Sequence, residues 1–480
     1  MRSGPPLTHW RRSSAAIFNR CRPREVVVTT QDALARSDIS YQLHSYTNAE
    51  EHRRQGPCIM ERGDGIFVFD TTGKRYIEGM SGLWSVAVGF SEPRLAEAAR
   101  RQMECLPFYH TFSHKANVPS IKLAEKLISL TEGRMAQAFF TNSGSEANDT
   151  IVKMVWYYNN ALGRPKKKKI IARDGGYHGV TVAAASLTGL PYLHKDFDLP
   201  LPQIRHVRRP HWYHEAQPGE SESAFADRLA NELESLIQAE GPDTVAAFIG
   251  EPIMGAGGVI VPPETYWQKI QAVCRKHDVL VIADEVITGF GRTGQMFASG
   301  LFGITPDFMT LSKQITSSYQ PLAAVLINQR VASVIAHHSG ELGTFGHGYT
   351  ASGHPVATAV ALENIAIIEE RDLVGNAARC GAVLQRRLRA LADHLLVGEV
   401  RGVGLIGAVE LVSDRATHAP FDPPGSVGAR VVQQAQNNGL ILRSIKDSIA
   451  FCPPLIITEK QIDQMVDLFT QSLDEVARTL

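Results

Sequence analysis

Between about residues 95 and 345, short apolar runs recur with helix-like segments between them. The runs are "MAQAFFTN", "KKIIARD", "TVAAFIGEP", "VLVIADEV", "PDFMTLSK" and "PLAAVLIN". They are apolar at consecutive rather than alternate positions, which suits strands buried on both faces. Intervening stretches, such as residues 266–277, carry apolar residues at the helical period. The combination predicts an α/β fold with a mostly parallel sheet covered by helices on both sides. The flanking regions differ. "GDGIFVFDTTGKRYIEGMSGLW" reads as a hairpin that turns at residues 70–73. Helices are expected around residues 357–370 and 378–392, and strands near 402–411 and 448–453. The expected layout is a flexible extension (1–40), a large α/β domain (91–345), and a small α+β domain built from both 41–90 and 346–480.

Composition narrows the classes. Lys+Arg and Asp+Glu are both 49 in 480 residues, so no nucleic-acid or strongly acidic partner is implied. The run Lys166 to Lys169 follows Gly163 and Pro165 and reads as a solvated loop. Six scattered cysteines with no C-x-x-C pair suit a reducing compartment and offer no thiolate metal site. The close pairs His110/His114 and His211/His214 lie outside H-E-x-x-H patterns, so they are read as ordinary histidines and no metal is expected. No apolar run reaches the roughly 20 residues of a membrane span. The first 24 residues hold six arginines and no acid, as a mitochondrial leader would. Pro5, Pro6 and Pro23 break any long amphipathic helix there, which favours a tail, or an over-long start, on a cytoplasmic protein.

"VLVIADEVITGFGRTG" imitates two nucleotide sites. An ATPase would also need G-x-x-x-x-G-K-[ST], but the only Gly-Lys pair, Gly73-Lys74, lacks the earlier glycine. A dehydrogenase needs its glycines between a strand and a helix. "GFGRTG" instead leads into a glycine-broken stretch, and a second match, "GVGLIG", runs straight into a strand-like segment.

A better anion cradle is "AFFTNSGSEAND", an apolar strand, small residues, and then a strong helix whose dipole favours negative charge. Glu251, Asp284 and Lys313 end three further strand-like runs. In a parallel α/β sheet the C-terminal strand ends form the ligand crevice, so two acids and a lysine converge beside a phosphate cradle. A lysine that can lose its proton is able to bond covalently to an aldehyde, and a carboxylate against a pyridine nitrogen keeps that ring protonated.

With "GLWSVAVGF", "GGYHGVT", "GEPIMGAGGVIVPP", "LSKQITSSYQPL", "FGHGYTASGHP" and "GLILR" also in order, the chain resembles the class III pyridoxal-phosphate aminotransferases. The similarity runs from about Gly63 to Thr458 and points to the ω-transaminase (amine–pyruvate) branch. It implies the aspartate aminotransferase-like fold (fold type I) and pyridoxal 5'-phosphate as cofactor. Lys313 would hold the cofactor and move the Cα proton, while Asp284 would pair with the ring nitrogen. Val286 and Tyr177 would take the two ring faces, with His178 beside Tyr177. Gly144 and Ser145 would bind phosphate through their amides, and Glu251 would support the hydrogen-bond network. Thr350 would reach the phosphate of a neighbouring subunit, which implies a homodimer or a dimer of dimers. Trp84 would wall the substrate pocket.

Relatives that use 2-oxoglutarate commonly carry an arginine where this chain has Ala450; here Arg443 stands in "GLILRSIKD", as in the amine–pyruvate branch. The resemblance thus implies ping-pong transfer between a primary amine, diamine or ω-amino acid and pyruvate. A 2-oxoglutarate user, a decarboxylase, an aminomutase or a silent dimeric scaffold remain as alternatives. Gln314, where Gly or Ala is common, is expected to alter the entrance.

Overall fold

The computed structural model describes residues 31–480, so the leader-or-tail question over residues 1–24 lies outside the described residues. The described chain forms two compact units, residues 31–62 with 69–74, and residues 63–68 with 75–480. In the first, Asn48 caps the helix Ala49–Gln55 by accepting from the Glu50 and Glu51 amides at 3.1 and 3.2 Å. Asp38 accepts from His44 and His52, each at 2.8 Å, and the Arg62 guanidinium lies over the Phe69 ring.

The second unit contains a seven-stranded sheet. Its spatial order is Gln137–Thr141, Ala323–Ile327, Phe308–Leu311, Leu280–Asp284, Val245–Gly250, Lys169–Arg173, Ile204–Val207. All neighbours pair in parallel except Ala323–Ile327, which is antiparallel to both of its neighbours. Every residue of the four strands at 245–250, 280–284, 308–311 and 323–327 is buried, which explains their unbroken apolar character. Strand alternation then sorts the side chains by face. Ile170, Ala172, Ala247, Ile249 and Ile282 share a cluster with Ala147, Ile151 and Val155 of the helix Gly144–Ala161. Ile171, Phe248, Val281 and Ala283 instead join Leu229 and Leu233 of Glu222–Glu240 and Trp267 and Ile270 of Tyr266–Lys276.

The edge strand Ile204–Val207 carries no sequence signal, because "IRHV" is polar at its centre and only Ile204 is buried. The C-terminal region contributes the helices Pro355–Glu370 and Leu373–Arg389. It also contributes an antiparallel sheet in the order Val397–Val403, Ile406–Leu411, Ser448–Phe451, Arg443–Ile445. Leu440 and Ile441 pair in parallel with Ile77 and Glu78, tying the two ends of this unit together. No helix among the described residues is long and apolar enough to cross a membrane.

The two imitation nucleotide motifs have one structural explanation. Leu405 donates its amide to the Arg292 carbonyl at 3.0 Å, and a Cβ on Gly404 would come within 2.8 Å of that same oxygen. "GFGRTG" and "GVGLIG" are therefore two backbones packed against each other, and Gly404, at φ +58°, is required by the approach. The helix after "GFGRTG" is only the four residues Ala298–Leu301, which is no dinucleotide fingerprint.

Candidate active site

The C-terminal ends of three adjacent strands deliver Glu251, Asp284 and Lys313 to one cavity of about 130 Å³. Alternation along Leu280–Asp284 puts Asp284 on the Ile282 face, beneath the helix Gly144–Ala161. There Asn148, one turn in from the helix start, donates to Asp284 Oδ2 at 3.0 Å and to the His178 carbonyl at 2.7 Å. Its own Oδ1 accepts from Thr310 Oγ1 at 2.8 Å. His178 Nδ1 donates to Asp284 Oδ2 at 2.8 Å, and the Val286 amide donates to Oδ1 at 3.1 Å. Burial is the largest single influence on Asp284 and pushes its pKa up. The hydrogen bond and charge of His178, with the Asn148 and Val286 bonds, outweigh it, so the carboxyl stays below its ordinary range.

Glu251 is shifted in the opposite direction. Burial and the nearby Asp284 charge raise its pKa, even though Oε1 accepts from the Tyr177 amide at 3.1 Å and Oε2 from the Gly255 amide at 2.8 Å. Lys313 opens the 3₁₀ turn Lys313–Ile315 with φ +49°, an uncommon backbone state for a side chain of this size. Among the described residues its Nζ forms no hydrogen bond or ion pair. Burial, assisted by the Arg443 charge and opposed by Asp284 and Glu251, lowers its pKa to about 8. At pH 7 roughly a tenth of this amine is neutral, against about one in 2,500 for an ordinary lysine.

The phosphate-sized corner lies at the start of Gly144–Ala161. Ser143 Oγ accepts from the Glu146 amide at 3.2 Å, and Glu146 reaches back to the Asn142 amide at 2.8 Å. As the first two helical residues, Gly144 and Ser145 have amides with no intrahelical acceptor, and both residues line the cavity. A Cβ on Gly144 would sit 3.3 Å from Val286 Cγ2 and narrow the cavity. Tyr177, His178 and Val286 complete its wall, and His178 Nε2 is buried without a partner among the described residues. The corners offer a fixed carboxylate, a low-pKa amine and free helix-start amides. They match a molecule with an aromatic nitrogen, an aldehyde and a phosphate.

Three expected residues lie outside this cavity's lining. Trp84 is 2% exposed, at φ +64°, in an apolar cluster with Ile287, Ala450 and Cys452. Thr350 is exposed on the turn after Tyr349. Arg443 is half-buried, forms no ion pair or side-chain hydrogen bond among the described residues, and stands directly across the strand pair from Ala450. Gln314 does not line the cavity. It is fully buried and donates to the Ile287 carbonyl at 2.8 Å, so it acts beneath the wall instead of at the entrance. Asn148 and Thr310 were missed in the sequence. The only available signal was Asn148's place four residues after Gly144, on the helix face that meets the sheet.

Comparison with known proteins agrees with this geometry. The family described as aminotransferase class-III matches residues 48–473. Gamma aminobutyrate transaminase 1, mitochondrial, of Solanum lycopersicum is 50% identical over 423 residues, covering 88% of this chain and 82% of the relative. Vanillin aminotransferase of Capsicum annuum is 47% identical, covering 88% and 92%. The structure of the ω-transaminase from Pseudomonas jessenii in complex with PMP superposes with a TM-score of 0.92 at 62% identity, covering 93% of this chain and 98% of that one.

Proposed function

The chain belongs to the class III aminotransferases, enzymes of PLP-dependent fold type I that use pyridoxal 5'-phosphate, and we propose that it exchanges amino groups between a primary amine, diamine or ω-amino acid and pyruvate. When bound, the cofactor supplies an aldehyde to receive the amine and a protonated ring that draws electrons from the substrate Cα. The remaining tasks belong to this chain's side chains. Asp284, held ionised, keeps the proton on the ring nitrogen, and His178 with Asn148 fixes the orientation of its carboxylate. Gly144 and Ser145 would hold the phosphate through their amides, and Tyr177 and Val286 would wall the ring. Glu251 fixes the Tyr177 and Gly255 amides. Lys313 anchors the cofactor and then carries the proton at Cα. Its lowered pKa suits a base working near neutrality. Thr350 serves the phosphate of a neighbouring subunit in a homodimer, and Trp84 backs the substrate wall.

The observation that carries the choice of acceptor is the unpaired Arg443. A guanidinium without an acid partner, close enough to lower the Lys313 pKa, is available to a carboxylate that arrives with the substrate. Alanine, not arginine, stands at position 450, directly across the strand pair from Arg443, and the other arginine of that cross-strand row, Arg401, is already committed to Glu399 and Glu410. This favours a monocarboxylic acceptor over a dicarboxylic one. The relatives support the breadth of donors, since their names include γ-aminobutyrate and vanillin transaminases, and a 61%-identical structure is titled a transaminase with L-ala. The mitochondrial and chloroplastic names among them support an organelle as readily as the cytoplasm.

The test follows the cofactor's visible absorbance in separate half-reactions. The band should bleach with amine and return with pyruvate. Arg443→Ala should lower kcat/KM for pyruvate by about 10²-fold, the loss of one charge-assisted bidentate pair, while a carboxylate-free amine changes little. Equal losses for both, or faster return with 2-oxoglutarate than with pyruvate, would refute the assignment.

A further inference from the structure

A second cavity, of about 630 Å³, shares none of the lining residues of the first. It opens where the segment following Ile204–Val207 meets the C-terminal antiparallel sheet, and its wall includes His211, His214, Arg401 and Glu410. One ring nitrogen from each histidine and one oxygen of Glu410 all lie within 4.8 Å of one another. His211 is 4% exposed, and its Nε2 lies 3.0 Å from Glu399 Oε2. A carboxylate can only accept, so Nε2 carries the ring proton and Nδ1 keeps the lone pair. That Nδ1 is buried and has no partner among the described residues. Arg401 holds Oε2 of Glu399 and Oε2 of Glu410, each at 2.5 Å, which leaves Glu410 Oε1 facing His214. Ser448 Oγ also donates to Glu410 Oε2 at 3.1 Å.

We propose that His211 through Nδ1, His214 and Glu410 bind a divalent transition-metal ion, zinc by the chemistry of the donors. Two imidazoles and a carboxylate form a zinc donor set, and the cavity leaves a fourth position for water. The Glu399–His211 bond and the Arg401–Glu410 pair are the outer contacts that orient such ligands. Zinc bonds of roughly 2.0–2.2 Å set tetrahedral donor atoms about 3.4 Å apart, so binding requires small side-chain turns. In these turns the His214–Glu410 hydrogen bond is exchanged for coordination. An ordinary His214–Glu410 pair accounts for that contact but leaves the buried His211 Nδ1 without a role. The ion would clip residues 211–214 to the strand Ile406–Leu411, about 200 positions away in sequence, and would take no part in amino transfer.

The test uses tag-free, cofactor-loaded enzyme, treated with chelator, equilibrated with zinc alone and passed through gel filtration. One zinc per chain should remain by elemental analysis, and added zinc should raise Tm. His214→Ala and His211→Ala should lose both effects, and His214→Ala should keep transaminase activity within twofold. Glu399→Gln should weaken zinc affinity by about 10–100-fold. His44→Ala, in the other His/Asp cluster with Asp38 and His52, should leave the zinc count unchanged. If His211→Ala fails to fold, the more exposed His214 carries the result. No retained zinc in the wild type, or equal zinc in wild type and His214→Ala, overturns the site. An unchanged affinity in Glu399→Gln overturns the assignment of Nδ1.

Discussion

Lys313, half-buried, and Arg401, buried, are both cations largely removed from water, and the fold treats them in opposite ways. Arg401 donates to Glu399, Glu410, Ser448 Oγ and the Gly258 and Val259 carbonyls, so nearly every N–H has an acceptor. Lys313 has two acids nearby, but both are occupied. Asp284 is held by His178, Asn148 and the Val286 amide, and Glu251 by the Tyr177 and Gly255 amides. Complete pairing makes Arg401 a structural fixture. Incomplete pairing leaves Lys313 an ammonium that is readily deprotonated, and its pKa falls to about 8. Chemistry is located where the structure has declined to satisfy a charge.

The largest expected effect breaks this contrast at its reactive side. Lys313→Ala should lower turnover by more than about 10³-fold, since general base catalysis alone is worth 10²–10⁴; substantial residual kcat would remove this lysine from the mechanism. Asp284→Asn keeps the size of the side chain but loses its charge. It should cost about 10²-fold or more in the amine half-reaction by stopped flow, with cofactor still bound. On the structural side, Arg401→Met leaves Glu399 and Glu410 without their cation. It should destabilise the protein by about 2–4 kcal/mol in urea melts, because an acid pair left half-buried is costly, while kcat of the folded fraction is unchanged.

The smallest effect sharpens the comparison further. The folded pKa of Lys313, about 8, lies below the ordinary lysine value, so its desolvation penalty is fully present below pH 8. The penalty fades as pH rises from 8 toward about 10.4. In cofactor-free protein, Lys313→Met should therefore raise stability by about 1–3 kcal/mol at pH 7, and by much less at pH 10. A destabilised Lys313→Met at pH 7 would show that the amine is better solvated than its surroundings imply.

Much of this was legible before any coordinates. Strands buried on both faces announce themselves as unbroken apolar runs, and the residue ending each run was placed on the crevice by topology alone. The edge strand Ile204–Val207 was not legible, because an edge needs little burial and its "IRHV" shows none of that signal. Asn148 was also hidden. Its spacing from Gly144 marks only a helix face, and its role emerges when the sheet beneath brings Asp284 and Thr310 within reach. The glycines of "GFGRTG" and "GVGLIG" misled for a related reason, since a demand for close backbone approach looks the same in sequence whether the partner is a pyrophosphate or another loop.

The amino-acid order alone determined the α/β architecture, the strand ends that carry Glu251, Asp284 and Lys313, and the helix start at Ser143-Gly144. These follow from local periodicity and capping, which neighbouring residues settle among themselves. Only the tertiary structure decided which charges are answered. Whether Asp284 stays ionised, whether Lys313 gives up its proton, and whether Arg443 finds an acid all depend on groups brought together from distant positions. Burial and Coulomb interaction act through space, and no local pattern records them.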